Sequence, residues 1–355
     1  MINRRNFTIG AIAGGLSSSS LVFGQQLSTQ NALIIDAMGE IRDVYTDDLV
    51  LEIIDSGLNA ITVTLCDPKT YESGAYQAAI NGLWDYDRLI KRQNKFYAKA
   101  LSVKDIHKAN QEKKIAIFFL FQNSTQFGRN LDNVDIFYNL GVRSSQITYN
   151  WQNWAGSGCN EENGSGLTRF GYQLVEKMNE IGMLIDLSHA GMRTMKDTIS
   201  ASKEPVIISH TCCKALYNHN RNTTDQNIRA VAEKGGLVGI TQMRPFMTRE
   251  QKNAVHFYYE HIEHAVNIAG IDHVCIGSDR DHRRLVMTDE YLQELKREEG
   301  ENFDPTMWPL YFEELNGPRR METIWDGLKN RGMSEDQLEK LMGLNLLQLY
   351  QKIYG

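Results

Sequence analysis

Eight short runs of apolar and β-branched residues punctuate the chain, at 33–38, 60–66, 115–122, 145–150, 183–189, 205–211, 237–243 and 273–279, each closing on a polar residue or shortly before one. Their hydrophobicity is continuous rather than alternating, which marks strands covered on both faces, as in a parallel sheet. Segments of helical periodicity fill the gaps. Thr168 to Ile181 carries apolar residues at helical spacing and stops at Gly182, and Thr223 to Lys234 stops at Gly235 and Gly236, as helices that end on glycine do. Eight strands alternating with helices predict a closed (β/α)8 TIM barrel, with a doubly wound sheet as the alternative. No repeat or low-complexity linker divides residues 33–355, so a single barrel domain is expected. One insertion, at about 282–320, follows the last strand and contains Met307-Trp308-Pro309-Leu310-Tyr311. It would emerge on the face where strands end, either as a lid or substrate-binding loop or as a surface elaboration without a role.

Composition narrows the class. With 42% hydrophobic and 23% charged residues the chain has enough apolar material for a large core, and a net charge of -6 gives no basis for nucleic-acid binding. At the N-terminus Arg4, Arg5 and Phe7 precede the apolar run Ile9 to Leu16, so residues 1–32 read as a twin-arginine-like signal peptide and leader. That places the protein outside the cytoplasm, periplasmic or extracellular, with no transmembrane span. Five cysteines, Cys66, Cys159, Cys212, Cys213 and Cys275, show no CxxC spacing and are expected as packing residues.

In a barrel of this kind catalytic groups collect at strand C-termini. Those ends supply Asp36, Met38 and Glu40, then Cys66, Gln122, Tyr149, His189, His210, Gln242 and Asp279. Two histidines on neighbouring strands and an aspartate on the closing strand can form a metal site, since imidazole suits zinc, iron or copper and a carboxylate adds charge and a third ligand. His261 and His264 lie at helical spacing after His256, which could suggest a metal-ligand pair. Asp281 and His282 are candidate supports for the site or an alternative ligand, and Trp151 and Trp154 either line the pocket or pack under a loop.

The segments GMLIDLSHAGMRTMKDTI, PVIISHT, RNTTD, HIEHAVNIAGIDHVCIGSDRD and LMGLNLLQLY, in that order, resemble the membrane (renal-type) dipeptidases, peptidase family M19 of the amidohydrolase superfamily. IFYNLGVRSSQITYNW and GLTRFGYQLVEKMNEIGM are similar as well, so the likeness runs over nearly all of the chain from about residue 33. The resemblance implies a binuclear zinc centre that cleaves dipeptides. It implies that His189 and His210 bind metal, that Asp279 is catalytic, and that Arg221 holds a substrate carboxylate. The other half of the family pattern is replaced: Met38-Gly39-Glu40 stands for His-x-Asp, Gln122 for the bridging glutamate, and Tyr149 for a substrate-contacting histidine. A neutral Gln122 cannot offset repulsion between two cations, and a Met38 thioether suits copper(I) better than zinc. One ion is therefore expected, on His189, His210 and either Glu40 or Asp279. Zinc is the first expectation, with Fe(II), Mn(II) and copper compatible. The substrate is a small molecule carrying a carboxylate, with His219 and Tyr149 near it, and a homodimer is left open. Hydrolysis of a dipeptide or other small amide is the leading function. The alternatives are a lyase, isomerase or redox reaction at the same metal, or a non-catalytic binding protein.

Overall fold

The structure is a computed structural model that describes residues 29, 32–299 and 304–355; the expected leader lies outside the described residues except for Thr29 and Ala32. Parallel strands β1 (Ile34–Gly39), β2 (Leu58–Thr64), β4 (Ile115–Phe121), β5 (Val142–Gln146), β6 (Leu184–Asp186), β7 (Ile207–Thr211), β8 (Leu237–Ile240) and β9 (Val274–Ile276) are hydrogen-bonded in that order. The outer strands meet where Asp279 N donates to Met38 O at 2.9 Å and Glu40 N to Arg280 O at 3.2 Å, so the sheet curls into a nearly closed (β/α)8 barrel. The doubly wound alternative is excluded.

The helices between strands are α1 (Asp47–Asp55), α2 (Ser73–Arg92), α3 (Val103–Gln111), α4 (Asp132–Asn139), α5 (Arg169–Ile181), α6 (Met192–Ala201), α7 (Asp225–Glu233) and α8 (Val255–Ala269). The two helices read from sequence appear with the expected caps. Thr168 Oγ1 accepts from Gly171 N and Thr224 Oγ1 from Asn227 N, while Gly182 and Gly235 take left-handed φ values of 73° and 77°. Two strand expectations are corrected. The fourth barrel strand is Val142–Gln146 rather than 145–150, because beyond Gln146 the chain turns and Asn153 Nδ2 captures Ile147 O at 2.8 Å. A short extra strand, β3 (Tyr97–Lys99), pairs only with the start of β4. Cys212, Cys213 and Cys275 are buried free thiols, as expected, whereas Cys66 and Cys159 are partly exposed.

Two apolar clusters hold the layers. Outward residues of the strands, such as Ile61, Ile117, Ile208 and Ile276, pack against the surrounding helices. Inward residues, many of them small, such as Ala37, Ala60 and Ala116, meet Leu346, Leu349 and Tyr350 of the last helix, α12 (Asn345–Tyr354), which plugs the N-terminal end of the barrel. Tyr350 Oη lies 2.8 Å from Thr62 Oγ1 inside the barrel. After the barrel come α9 (Asp289–Glu299), α10 (Arg320–Asn330) and α11 (Glu335–Glu339), then a π-helical turn over Lys340–Leu344 that leads into α12. Gly343 in that turn has no room for a side chain, since a Cβ would stand 1.9 Å from Leu33 O at the start of β1.

Gly343→Ala is therefore expected to lower stability by at least about 2 kcal/mol, because the obstacle is backbone and cannot rotate away. Urea unfolding measures it, and a midpoint equal to the parent's would refute the close packing.

Candidate active site

A buried carboxylate organises the mouth of the barrel. Asp186 ends β6 and is 1% exposed. Its Oδ1 accepts from Ser188 N at 2.9 Å and Ser209 N at 3.0 Å, and its Oδ2 from Ser209 Oγ at 2.5 Å and Gln146 Nε2 at 3.1 Å. Ser209 thus spends its proton on Asp186 and must accept from His210 Nδ1, 2.8 Å away. His189 Nδ1 lies 2.6 Å from Asn150 Oδ1, an acceptor, so it too carries the proton. Both imidazoles are then neutral with a lone pair on Nε2, the tautomer that outer hydrogen bonds impose on ligand histidines. Burial first, then the Arg221 charge, holds both rings well below the ordinary histidine pKa.

Those two Nε2 atoms face each other at 3.0 Å. Two lone pairs at that distance repel unless a cation lies between them. Nitrogens sharing one tetrahedral ion at about 2.0–2.1 Å would stand about 3.3 Å apart, close to the separation seen. Gln122 Nε2 approaches His210 Nε2 at 3.4 Å, and Tyr149 stacks on His189 with ring centroids 4.1 Å apart.

The expected third ligand is not assembled. Glu40 pairs with Arg42 Nε at 2.5 Å, and among the described residues no group of three or more His, Cys, Asp or Glu side chains is placed to hold a metal. Met38 is buried at 1% exposure. Two imidazole nitrogens are thus turned toward one point, and Gln122 brings an uncharged amide beside them where the family resemblance implies a bridging carboxylate.

Asp279 follows β9 and stands partly exposed at the mouth. Burial of its carboxyl, opposed by Arg221 and reinforced by Glu40, raises its pKa to about 7. Asp279 and His189 both adopt left-handed backbone, with φ of 55° and 65°. That conformation is costly for residues other than glycine and accumulates at functional sites. Asp279 is held in it by the bond from its own N–H to Met38 O, and His189 by Cys159 N donating to its carbonyl at 2.8 Å. Arg221, on the loop after β7, is 5% exposed; its Nη2 donates to His210 O at 3.2 Å, while Nε and Nη1 are buried without partners. His219 Nδ1 accepts from Arg221 N at 3.1 Å, and its pKa falls to about 4, through burial first and then Arg221.

Other candidates are structural. His261 Nδ1 accepts from Cys213 N at 2.9 Å and His264 Nε2 meets Asp225 Oδ1 at 2.9 Å, both on α8 in the wall. Asp281 accepts from Tyr45 Oη at 2.8 Å and pairs with Arg283, and His282 Nε2 lies 3.2 Å from Arg320 Nη2, so both brace the closing strand. Trp151 and Trp154 are 55% and 43% exposed. Sequence reading missed Asp186, Asn150 and Ser209, which set the tautomers. Asp186 had one signal, a carboxylate inside a wholly apolar strand.

The insertion folds over the mouth. Arg244, fully buried after β8, donates to the carbonyls of Pro309, Thr306, Thr248 and Glu250, and so ties the segment 306–309 down. Beneath it a cavity of about 570 Å³ is lined by Asp279, Arg280, Met243, Trp308, Leu310 and Tyr311, among others. A larger cavity of about 770 Å³ over the ends of β1 and β2 shares Glu40 and Arg42 and touches neither histidine.

The chain is similar to known proteins over most of its length. The family described as membrane dipeptidase (peptidase family M19) matches residues 50–289. A dipeptidase, verJ, of Clonostachys rogersoniana is 31% identical over 218 residues, 61% of this chain and 50% of that protein. An uncharacterized dipeptidase of Schizosaccharomyces pombe is 29% identical over 245 residues, 67% of this chain and 53% of that protein. The chain thus spans about half the length of these two relatives. Among solved structures, an amidohydrolase from Pseudomonas aeruginosa is 28% identical with a TM-score of 0.82, covering 92% of this chain and 98% of that one. A metallo peptidase from Rhodobacter sphaeroides, solved with a phosphinate mimic of the dipeptide L-Ala-D-Ala, shares the fold at 16% identity and a TM-score of 0.78, covering 91% and 99%.

The raised Asp279 pKa sets a sign for stability. A carboxyl at about 7 in the folded state and 3.8 unfolded favours folding below pH 4, and that advantage is lost as pH rises through 7. In chelator-treated protein, Asp279→Asn should gain stability relative to the parent between pH 4 and 8, by on the order of 1–3 kcal/mol once solvent screening of a partly exposed group is allowed for. Melting temperatures across that range read it. A difference independent of pH would place the Asp279 carboxyl in the ordinary range.

Proposed function

This chain belongs to the membrane dipeptidase family, peptidase family M19, and from that membership we propose that it is a metal-dependent hydrolase of dipeptides or closely related small amides, working with one ion rather than two. The observation that carries the reading is the pair of neutral imidazoles whose lone pairs face each other at 3.0 Å. Zinc is the first expectation for a site of two histidines, with iron(II), manganese or copper as the alternatives to be told apart by elemental analysis.

His189 and His210 would hold the ion, which when bound supplies Lewis acidity and makes water a competent nucleophile near neutral pH. Asp279, with a pKa of about 7, takes a proton from the attacking water and returns it to the leaving amine, the property needed of a group that works as base and then acid. Arg221 offers two unpartnered guanidinium nitrogens to a substrate carboxylate, for which a planar fork is suited. His219 holds the Arg221 backbone, and Tyr149 steadies the His189 ring by stacking. Glu40 stands on a half-exposed salt bridge to Arg42, a contact weak enough to yield, and would complete the ligand set if it swings inward; Gln122 supplies an uncharged amide in place of a bridge. The insertion excludes bulk water over Asp279. The paired arginines and the apolar run after them support export by the twin-arginine route, and among the described residues no helix is long and apolar enough to cross a membrane.

Purified protein should contain about one metal ion per chain and hydrolyse dipeptides. His210→Ala should lose the ion and reduce turnover at least a thousandfold. Turnover that persists in metal-free protein would overturn this mechanism.

A further inference from the structure

Several arginines surround the cavity under the insertion, and all but one are already paired. Arg42 bonds Glu40 and Asp281, Arg283 bonds Asp281, and Arg284 bonds Glu313. Arg280 differs. It is 4% exposed, no ion pair among the described residues includes it, and its Nη2 is buried without a hydrogen-bond partner. Its guanidinium lies 5.1 Å from the ring centroid of Tyr311, which belongs to the insertion. A buried guanidinium without an anion carries a desolvation penalty that folding does not recover. The carboxylates of Glu40 and Asp281 act on it only through space, and both are already engaged, Glu40 by Arg42 and Asp281 by Arg42 and Arg283.

We propose that Arg280 forms an anion subsite in this cavity, next to Asp279, and that the preferred substrate carries a second negative group besides the carboxylate assigned to Arg221. The chemical class is a dipeptide with one acidic side chain. Met243, Trp308 and Leu310 give the cavity apolar walls, which suit the methylenes of that side chain and strengthen its pairing with the guanidinium by excluding water. The proposal rests on the dipeptidase reading of the neighbouring site.

The test pairs charged and neutral analogues of equal size, Glu-Ala with Gln-Ala and Ala-Glu with Ala-Gln. The kcat/KM of the metal-loaded full chain is measured for each, and binding is measured by calorimetry with their non-cleavable reduced-amide isosteres. In at least one pair the acidic member should be favoured tenfold or more. Arg280→Met should erase that preference, and Arg280→Lys should keep part of it. Equal values within both pairs, no binding of any acidic isostere, or a preference unchanged in Arg280→Met would each overturn the subsite. Should Arg280→Met not fold, the comparison in the parent protein decides alone. Acidic isosteres that bind preferentially without any dipeptide being cleaved would uphold the subsite and sink the hydrolase.

Discussion

Everything at the barrel mouth depends on where the protons of two imidazoles are kept. Asp186 accepts four hydrogen bonds from the ends of three strands, and one of them removes the Ser209 proton from the reach of His210. With Ser209 unable to donate, His210 must, and its Nε2 is left bare. Asn150 imposes the same state on His189. The protein thus uses buried polar groups far from solvent to create an unfavourable approach of two lone pairs at its surface-facing end. A network in which the Asp186 carboxylate takes four hydrogen bonds holds its members firmly, and its stability allows the strained φ at His189 to persist.

On the opposite side of the mouth the logic is reversed. The first strand presents Met38, the third barrel strand Gln122, and neither adds negative charge. Two cations a few ångströms apart would need such charge, and for that reason the proposed function assigns its single ion to the half of the site built on β6 and β7. Glu40 keeps a carboxylate on that side, but Arg42 occupies it and ties it to the network around Asp281 that closes the barrel between β1 and β9.

Seven of the eight barrel strands and the caps of α5 and α7 were legible in the sequence because continuous apolar runs and terminal glycines report local requirements that tertiary packing does not override. The shifted β5 was not, since Asn153 reaches back to Ile147 only after the loop has folded. His189, His210 and Asp279 could be picked out as polar residues where strands end. Their partners could not. Ser209 and Asn150 are unremarkable letters whose role lies in which atom donates, and that is fixed by neighbours 23 and 39 residues away.

Two buried arginines show how the same residue type separates structure from function. Arg244 satisfies its guanidinium on four backbone carbonyls and anchors the insertion, so its charge is spread over dipoles the fold itself supplies. Arg280 lies under that same insertion with its Nη2 unpartnered. Burial lowers the pKa of both, that of Arg280 to about 10, yet at neutral pH both stay charged. The fold therefore places a positive charge in a pocket of mixed polar and apolar walls beside Asp279 and leaves its neutralisation to something that arrives from outside. The segment that roofs the pocket is pinned by Arg244, so the cavity exists before any ligand does, and an anion entering it meets a site already formed.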